Sequence, residues 1–166
     1  PIESEDLGKI VNQHHFERIL NLINDAVKKG AKLHVPGGVL ELGVEKRRIS
    51  PCILTNCTND MSIMQEEIFG PVLPVMSWTK KEEVIEIIAK NPHPLALYIF
   101  SSKKTHTDWF IDNTKAGSTA VNEVVIQVAN PELPFGGIQT SGIGRSSGKY
   151  SFDAFSNLRS FVVQTS

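Results

Sequence analysis

Two apolar spacings alternate along the chain, and each switch between them marks an element. Phe16, Ile19, Leu20, Ile23, Ala26 and Val27 recur at intervals that fall on one helix face. Asn12 stands before them as an N-cap, and Gly30 follows Lys28-Lys29 as a stop. The spacing then shortens. Ala31 to Val35 predicts a short strand, Gly37-Gly38 a turn, and Ile49 to Leu54 a second strand. Val72 to Trp78 predicts a third, and Pro74 within it marks an edge or a bend. Thr79-x-x-Glu82 is a capping box that opens a helix with Val84, Ile87 and Ile88 facing inward. Asn91-Pro92-His93-Pro94 ends that helix. Leu95 to Phe100 is a continuous apolar run and predicts a buried strand. Ser102 to Asn113 predicts a second amphipathic helix with Trp109 and Phe110 as its large apolar residues, and Gly117 to Asn122 the next strand. A short helix around Phe152 and Phe155 precedes a last strand, Leu158 to Gln164.

Strands alternating with helices predict an α/β layered domain with a mostly parallel sheet. The last strand follows a loop rather than the alternating pattern, so it is expected to pair outside the main sheet. Phe161 and Val163 share one of its faces.

Composition narrows the function without choosing it. With 166 residues, 40% hydrophobic and 21% charged, the chain suits one soluble domain or a large piece of one. A net charge of −1 supplies no broad field for nucleic acid or a membrane surface. Glu45-Lys46-Arg47-Arg48 is too short to change that and reads as a solvated loop. No apolar run is long enough to span a bilayer, and no secretory pattern opens the chain. Pro1, with a helix following within a dozen residues, reads as a cut end.

Cys52 and Cys57 form no CxxC pair and have no histidine set for zinc. Cys52 reads as a buried structural thiol and Cys57 as an exposed one. Their number fits a reducing compartment, so a cytoplasmic location is expected. His14 and His15 are adjacent on a helix and point apart, which argues against a shared metal. His93 reads as a loop residue. No metal site is expected.

The run Gln65-Glu66-Glu67-Ile68-Phe69-Gly70-Pro71 carries the first candidate chemistry. Two acids, an aromatic and a Gly-Pro make poor core between two apolar strands. If the run is extended, Glu67 and Phe69 point to one side. A carboxylate and a ring on one face suit a sugar diol beside a flat heterocycle. Gly70-Pro71 then stiffens the exit. The plainer alternative is an acidic turn between strands.

A second constellation is Pro134-Phe135-Gly136-Gly137, followed by Ser141-Gly142-Ile143-Gly144-Arg145 and Gly148-Lys149. Gly142-Ile143-Gly144 is not a dinucleotide fingerprint. A long loop precedes it, and Ser147 stands where the third glycine belongs. The glycines instead let the loop fold back on itself. Phe135 is then either a wall for an apolar substrate or a plug in the domain's own core.

Together, Glu66-Glu67-Ile68-Phe69-Gly70-Pro71, Val121-Asn122, Pro134-Phe135-Gly136-Gly137 and Ser141-Gly142-Ile143-Gly144-Arg145 occur in the order and rough spacing of the NAD(P)-dependent aldehyde dehydrogenase superfamily. The chain resembles its C-terminal third from about Gly8 onward. Gly148-Lys149-Tyr150-Ser151-Phe152-Asp153 and Val121-Asn122-Glu123-Val124-Val125 look most like the class 3 and fatty aldehyde branch.

The resemblance implies residues 1–156 as the C-terminal part of the catalytic domain and 157–166 as an oligomerisation strand. It implies NAD or NADP as cofactor, an aldehyde as substrate and a homo-oligomer, most simply a dimer. Glu67 resembles the glutamate that binds the nicotinamide ribose, and Phe69 the aromatic beside the nicotinamide. Phe135 resembles an aromatic at the substrate entrance, and Asn122 a residue that orients loop backbone there. The family oxidises aldehydes to acids through a cysteine thiohemiacetal. Its nucleophile, its general-base glutamate and its cofactor domain lie upstream of the residues matched here. Cys52 and Cys57 do not match the nucleophile, so the 166-residue chain alone is expected to be inactive. Gln139 stands where many members carry lysine and Ser147 where many carry glutamate. Two other readings remain: a non-catalytic dimerisation module of the same fold, and an acyl-CoA or acyl-phosphate reductase.

Overall fold

A computed structural model describes residues 1–91 and 93–165. The chain divides into two compact units, the first Pro1–Lys81 and the second beginning at Glu82.

In the first unit, helix α1 spans Gln13–Lys28 and takes the limits that its sequence dictates. The Asn12 side chain accepts a hydrogen bond from the His15 backbone N–H at 2.9 Å, so one orphan donor of the first turn is satisfied. At the other end Gly30 has φ +103°, a left-handed geometry that glycine adopts without strain. Phe16, Ile19, Leu22, Ile23 and Ala26 are buried along one stripe. Each large side chain there contributes about 1.5–3 kcal/mol of burial.

That stripe packs on a three-stranded sheet ordered β1 (Lys32–His34), β4 (Cys52–Thr55), β5 (Val72–Pro74). β4 is central, antiparallel to β1 and parallel to β5. Its alternation buries Cys52 and Leu54 and exposes Ile53. Pro74 sits on an edge strand, as its missing N–H requires. The expected strand from Ile49 to Leu54 is instead two strands. Arg48–Ile49 (β3) pairs with Leu42–Gly43 (β2) in a small hairpin, and β4 starts at Cys52. Buried Ser50 makes the break. Its Oγ accepts from the Glu41 N–H and its own N–H donates to the Glu41 carbonyl, both at 3.0 Å, before Pro51 interrupts the ladder.

In the second unit, β6 (Ala96–Ile99) and β7 (Ser118–Val121) pair in parallel, with helix α2 (Lys81–Ala89) preceding β6 in the chain and α3 (Lys104–Asn113) connecting the two strands. The expected burial of β6 holds only at Ile99. Tyr98 is 37% exposed, because this sheet has just two strands among the described residues. Short helices α4 (Ile126–Ala129) and α5 (Gly148–Ala154) follow. The expected strand at Leu158 to Gln164 has no ladder partner among the described residues. Its large side chains lie in solvent, with Leu158 at 90% and Val162 at 94% exposure. The α/β class is confirmed, with parallel pairs β4–β5 and β6–β7 beside two antiparallel ones.

No helix among the described residues is long and apolar enough to cross a membrane.

Candidate functional site

The acidic loop of the first unit is built against helix α1. Lys29 Nζ donates to the Asp60 carbonyl at 2.7 Å. Asp25 Oδ2 accepts from the Ser62 N–H at 2.8 Å, where a 3-10 turn, Ser62–Met64, begins. The Ser62 N–H, followed by Lys29, holds the Asp25 carboxyl below the usual carboxylate range. Arg18 then meets the loop itself. Its Nη1 donates to Glu66 Oε2 at 2.9 Å and to the Glu67 carbonyl at 3.3 Å, and its Nη2 to the Ile68 carbonyl at 2.6 Å. Ile19 closes the row. A Cβ at Gly70 would lie 2.7 Å from Ile19 Cδ1, so glycine is what lets the loop approach the helix this closely.

With its carbonyl occupied, Glu67 leaves its carboxylate with no hydrogen bond or ion pair among the described residues, and it is exposed. Phe69 is 68% exposed and has φ +51°. An aromatic residue in the left-handed region carries backbone strain, of the kind concentrated at functional sites. The turn at Phe69 also corrects the sequence argument. Simple alternation along an extended strand does not place Glu67 and Phe69 on one side, because the loop is irregular from Glu67 to Phe69.

The second unit holds Phe135 and Asn122. Phe135 exchanges both backbone hydrogen bonds with Ser146, at 2.9 and 2.8 Å, which closes the glycine-rich loop into a lariat. Arg145 Nη1 ties the interior by donating to the carbonyls of Gly137 and Gly144. At Gly137 an added Cβ would sit 2.1 Å from the Ser141 carbonyl oxygen. Half-buried Phe135 lines a cleft of about 460 Å³ with Ile143, Arg145, Ser151 and Phe155.

Asn122, at φ +55°, takes up a left-handed backbone that asparagine tolerates. Its Oδ1 accepts from the Ser101 N–H at 2.8 Å and its Nδ2 donates to the Ser101 carbonyl at 3.0 Å. The side-chain amide thus extends the β6–β7 pairing by one step.

Neither cysteine is poised to react. Cys57, expected to be exposed, is only 4% accessible, and its Sγ donates to the Leu54 carbonyl at 3.3 Å. It packs beneath the first unit's core because the chain turns back after Thr55 and bonds to Val75. Burial pushes both the Cys52 and Cys57 thiols up, away from the thiolate a nucleophile needs. Arg18 was missed in the sequence. Its acceptors in the loop lie 48 to 50 residues away, beyond any local spacing rule.

The model of the aldehyde dehydrogenase family matches residues 1–161. The chain belongs to the aldehyde dehydrogenase family. It is 39% identical over 165 residues to aldehyde dehydrogenase family 3 member H1 of Arabidopsis thaliana, covering 99% of this chain and 33% of that protein. It is 39% identical over 163 residues to the dimeric NADP-preferring aldehyde dehydrogenase of Mus musculus, covering 98% and 34%. A solved structure described as the substrate-bound state of Staphylococcus aureus AldH matches with a TM-score of 0.84 at 37% identity, covering 99% of this chain and 36% of that one. The chain therefore spans about a third of the length of the relatives it matches. The family 3 relative agrees with the class 3 resemblance of the motifs.

Proposed function

We propose that the chain forms the C-terminal part of an NAD(P)-dependent aldehyde dehydrogenase that oxidises aldehydes to carboxylic acids. Within it the Gln65–Pro71 loop contacts the cofactor. The observation that carries this reading is the loop's construction: Arg18 and Ile19 fix its backbone while the Glu67 carboxylate and the Phe69 ring are left free in solvent. A surface acidic turn needs no such fixing.

The residues fit a nicotinamide nucleotide. Glu67 would accept hydrogen bonds from the nicotinamide ribose hydroxyls, and Phe69 would pack beside the flat ring. When bound, the cofactor supplies the hydride acceptor. The family's name and the mouse relative's NADP preference support NAD or NADP as that acceptor. Phe135 would form a wall of the substrate entrance, and Asn122 would orient backbone there through its two bonds to Ser101. The nucleophilic cysteine and the general-base glutamate lie outside this chain, in keeping with two buried, protonated thiols inside it.

Residues 1–156 would be the catalytic-domain part and 157–166 the assembly strand; Ser166 lies outside the described residues. Phe161 at 79% and Val163 at 73% exposure suit a strand completed by another subunit, and the mouse relative is named dimeric. We read the assembly as a homodimer, and two free buried cysteines suit a cytoplasmic setting.

The deciding experiment is Glu67→Gln in the intact enzyme. Charge-assisted hydrogen bonds are about twice as strong as neutral ones. Cofactor affinity and hydride transfer should fall while the melting temperature stays in place. A large stability loss with unchanged kinetics would make the run a structural turn. The isolated chain should turn over no aldehyde with NAD or NADP. Turnover abolished by mutating Cys52 or Cys57 would overturn the assignment. Deleting residues from Arg159 onward should shift the sedimenting species toward monomer, and an unchanged size would mean that the tail is not the assembly strand.

A further inference from the structure

The geometry points to Arg18 as a positioning residue for the cofactor loop. It acts through the loop backbone and through no ligand of its own. This inference rests on the reading of Glu67 and Phe69 as cofactor contacts.

All three nitrogens of the guanidinium donate. Its Nε donates to His15 Nδ1 at 3.1 Å, which requires that ring nitrogen to be unprotonated. Its two terminal nitrogens serve three acceptors in succession along the chain: the Glu66 carboxylate, the Glu67 carbonyl and the Ile68 carbonyl. A planar fork with five donors can do this, whereas a lysine ammonium cannot hold the same acceptors in fixed directions. The side chain is only 19% exposed, and its bonds to His15 and to the Ile68 carbonyl are partly shielded from competing water, while those to Glu66 and the Glu67 carbonyl are open to it.

The ion pair is the smaller part of the arrangement. Glu66 is 48% exposed, and pairs of that kind are worth little. The carbonyl bonds matter more, because they fix the peptide planes on either side of Ile68. Those planes set where the Glu67 carboxylate leaves the backbone and where Phe69 enters its left-handed turn. A residue held at φ +51° persists only when its surroundings over-determine it. Arg18 before the turn, with Ile19 against Gly70 just after it, supplies that determination from adjacent residues of helix α1.

The test uses Arg18→Met, Arg18→Lys and Glu67→Gln in the intact enzyme. It measures NAD and NADP dissociation constants, kcat, melting temperature and the rate of cleavage after Glu66 and Glu67 by a glutamate-specific protease. Cleavage reports local opening without reference to cofactor. Arg18→Met should raise the cofactor dissociation constant roughly tenfold and speed cleavage by a similar factor, a loss typical of a displaced binding group. Arg18→Lys should recover only part of both effects. Glu67→Gln should weaken the cofactor without changing the cleavage of the Glu66–Glu67 bond.

If Arg18→Met leaves affinity unchanged while Glu67→Gln lowers it, the inference is wrong and the cofactor reading stands. If neither variant changes affinity, both fall together, whatever the protease shows. Should Arg18→Met unfold the protein, Arg18→Lys decides alone, and wild-type affinity with wild-type cleavage would count against the inference.

Discussion

The two loops that carry the candidate chemistry are held by opposite means. The Gln65–Pro71 loop makes little structure of its own. It and the turn before it are laid against helix α1 and its C-cap, where Lys29, Asp25, Arg18 and Ile19 meet Asp60, Ser62, Glu66 to Ile68 and Gly70 in turn. The Phe135–Ser146 loop is held from within, by its own backbone pair, by Arg145 and by glycines that leave no room for a side chain. The difference follows from what lies beneath each. The first unit has a continuous core from Ile10 to Val72, so a helix can serve as a rigid template. In the second unit the buried hydrophobic residues are Ile99 and Ala120 alone among those described, so its loop must be rigid by itself. A templated loop can be loosened from a distance and repaired from a distance. A self-clamped loop can be neither.

The sharpest way to break this comparison is Gly137→Ala. The new Cβ would meet the Ser141 carbonyl carbon and oxygen, at 2.3 and 2.1 Å, and neither can step aside without moving the loop. We expect a loss of about 3 kcal/mol in urea unfolding, the upper part of the range for overpacking. No truncation of a neighbouring side chain should restore it. Rescue by Ser141→Ala would show that the loop is less rigid than its contacts imply.

Gly70→Ala should behave differently. Its Cβ meets the far end of the Ile19 side chain, 2.7 Å away, and Cδ1 is the atom that Ile19→Val removes. Alone, Gly70→Ala should cost about 1–2 kcal/mol and Ile19→Val about 1 kcal/mol. The double variant should recover on the order of 1 kcal/mol relative to their sum, since touching residues are not additive. Additivity in that cycle would remove helix α1 as the template.

These two glycines also mark what the sequence could convey. Local rules found both ends of α1, because Asn12 and Gly30 act within one turn of themselves. They found the glycine-rich loop, because Phe135 and Ser146 close it over a short span. They named Glu67 and Phe69, because acids and a ring between two apolar strands are out of place there. They could not find Arg18, whose role is defined by carbonyls half a unit away in sequence. They missed the break at Ser50, since a buried serine that bonds to Glu41 looks like any strand residue until the partner is known. The alternation argument for Glu67 and Phe69 failed for a related reason. A left-handed phenylalanine has no signature in residue type.

Asn122 gives a smaller effect that sharpens the contrast within the second unit. Asn122→Gly keeps the left-handed backbone available and removes only the two bonds to Ser101. That should cost about 1 kcal/mol. Asn122→Ala should cost roughly 1 kcal/mol more, because alanine must also pay for the left-handed geometry. Equal losses in the two variants would mean that the backbone at Asn122 relaxes once the amide is gone.

The smallest expected effect tests the far end of the template. Asp25 accepts from the Ser62 N–H and lies 3.0 Å from Lys29 Nζ. The Ser62 bond first, and Lys29 after it, depress its folded pKa. A carboxyl depressed in the folded state adds stability above its unfolded pKa, near 3.9, and loses it as pH falls through the folded value. The tether is therefore complete at neutral pH and weakens only below about pH 4. Asp25→Asn keeps an oxygen for Ser62 but carries no charge to lose. At pH 7 it should be slightly less stable than the parent, and the gap should close as pH is lowered toward 2. Glu3 also has a depressed carboxyl, but it is common to both proteins and cancels in the difference; Asp60 is depressed chiefly by its bond from Thr58, and the Asp25 charge opposes that only as the least of its causes. Paired thermal melts across that range read the gap directly. A gap that stays constant with pH would show that Asp25 holds Ser62 as a neutral acceptor could, and that charge has no part in fixing the start of the loop.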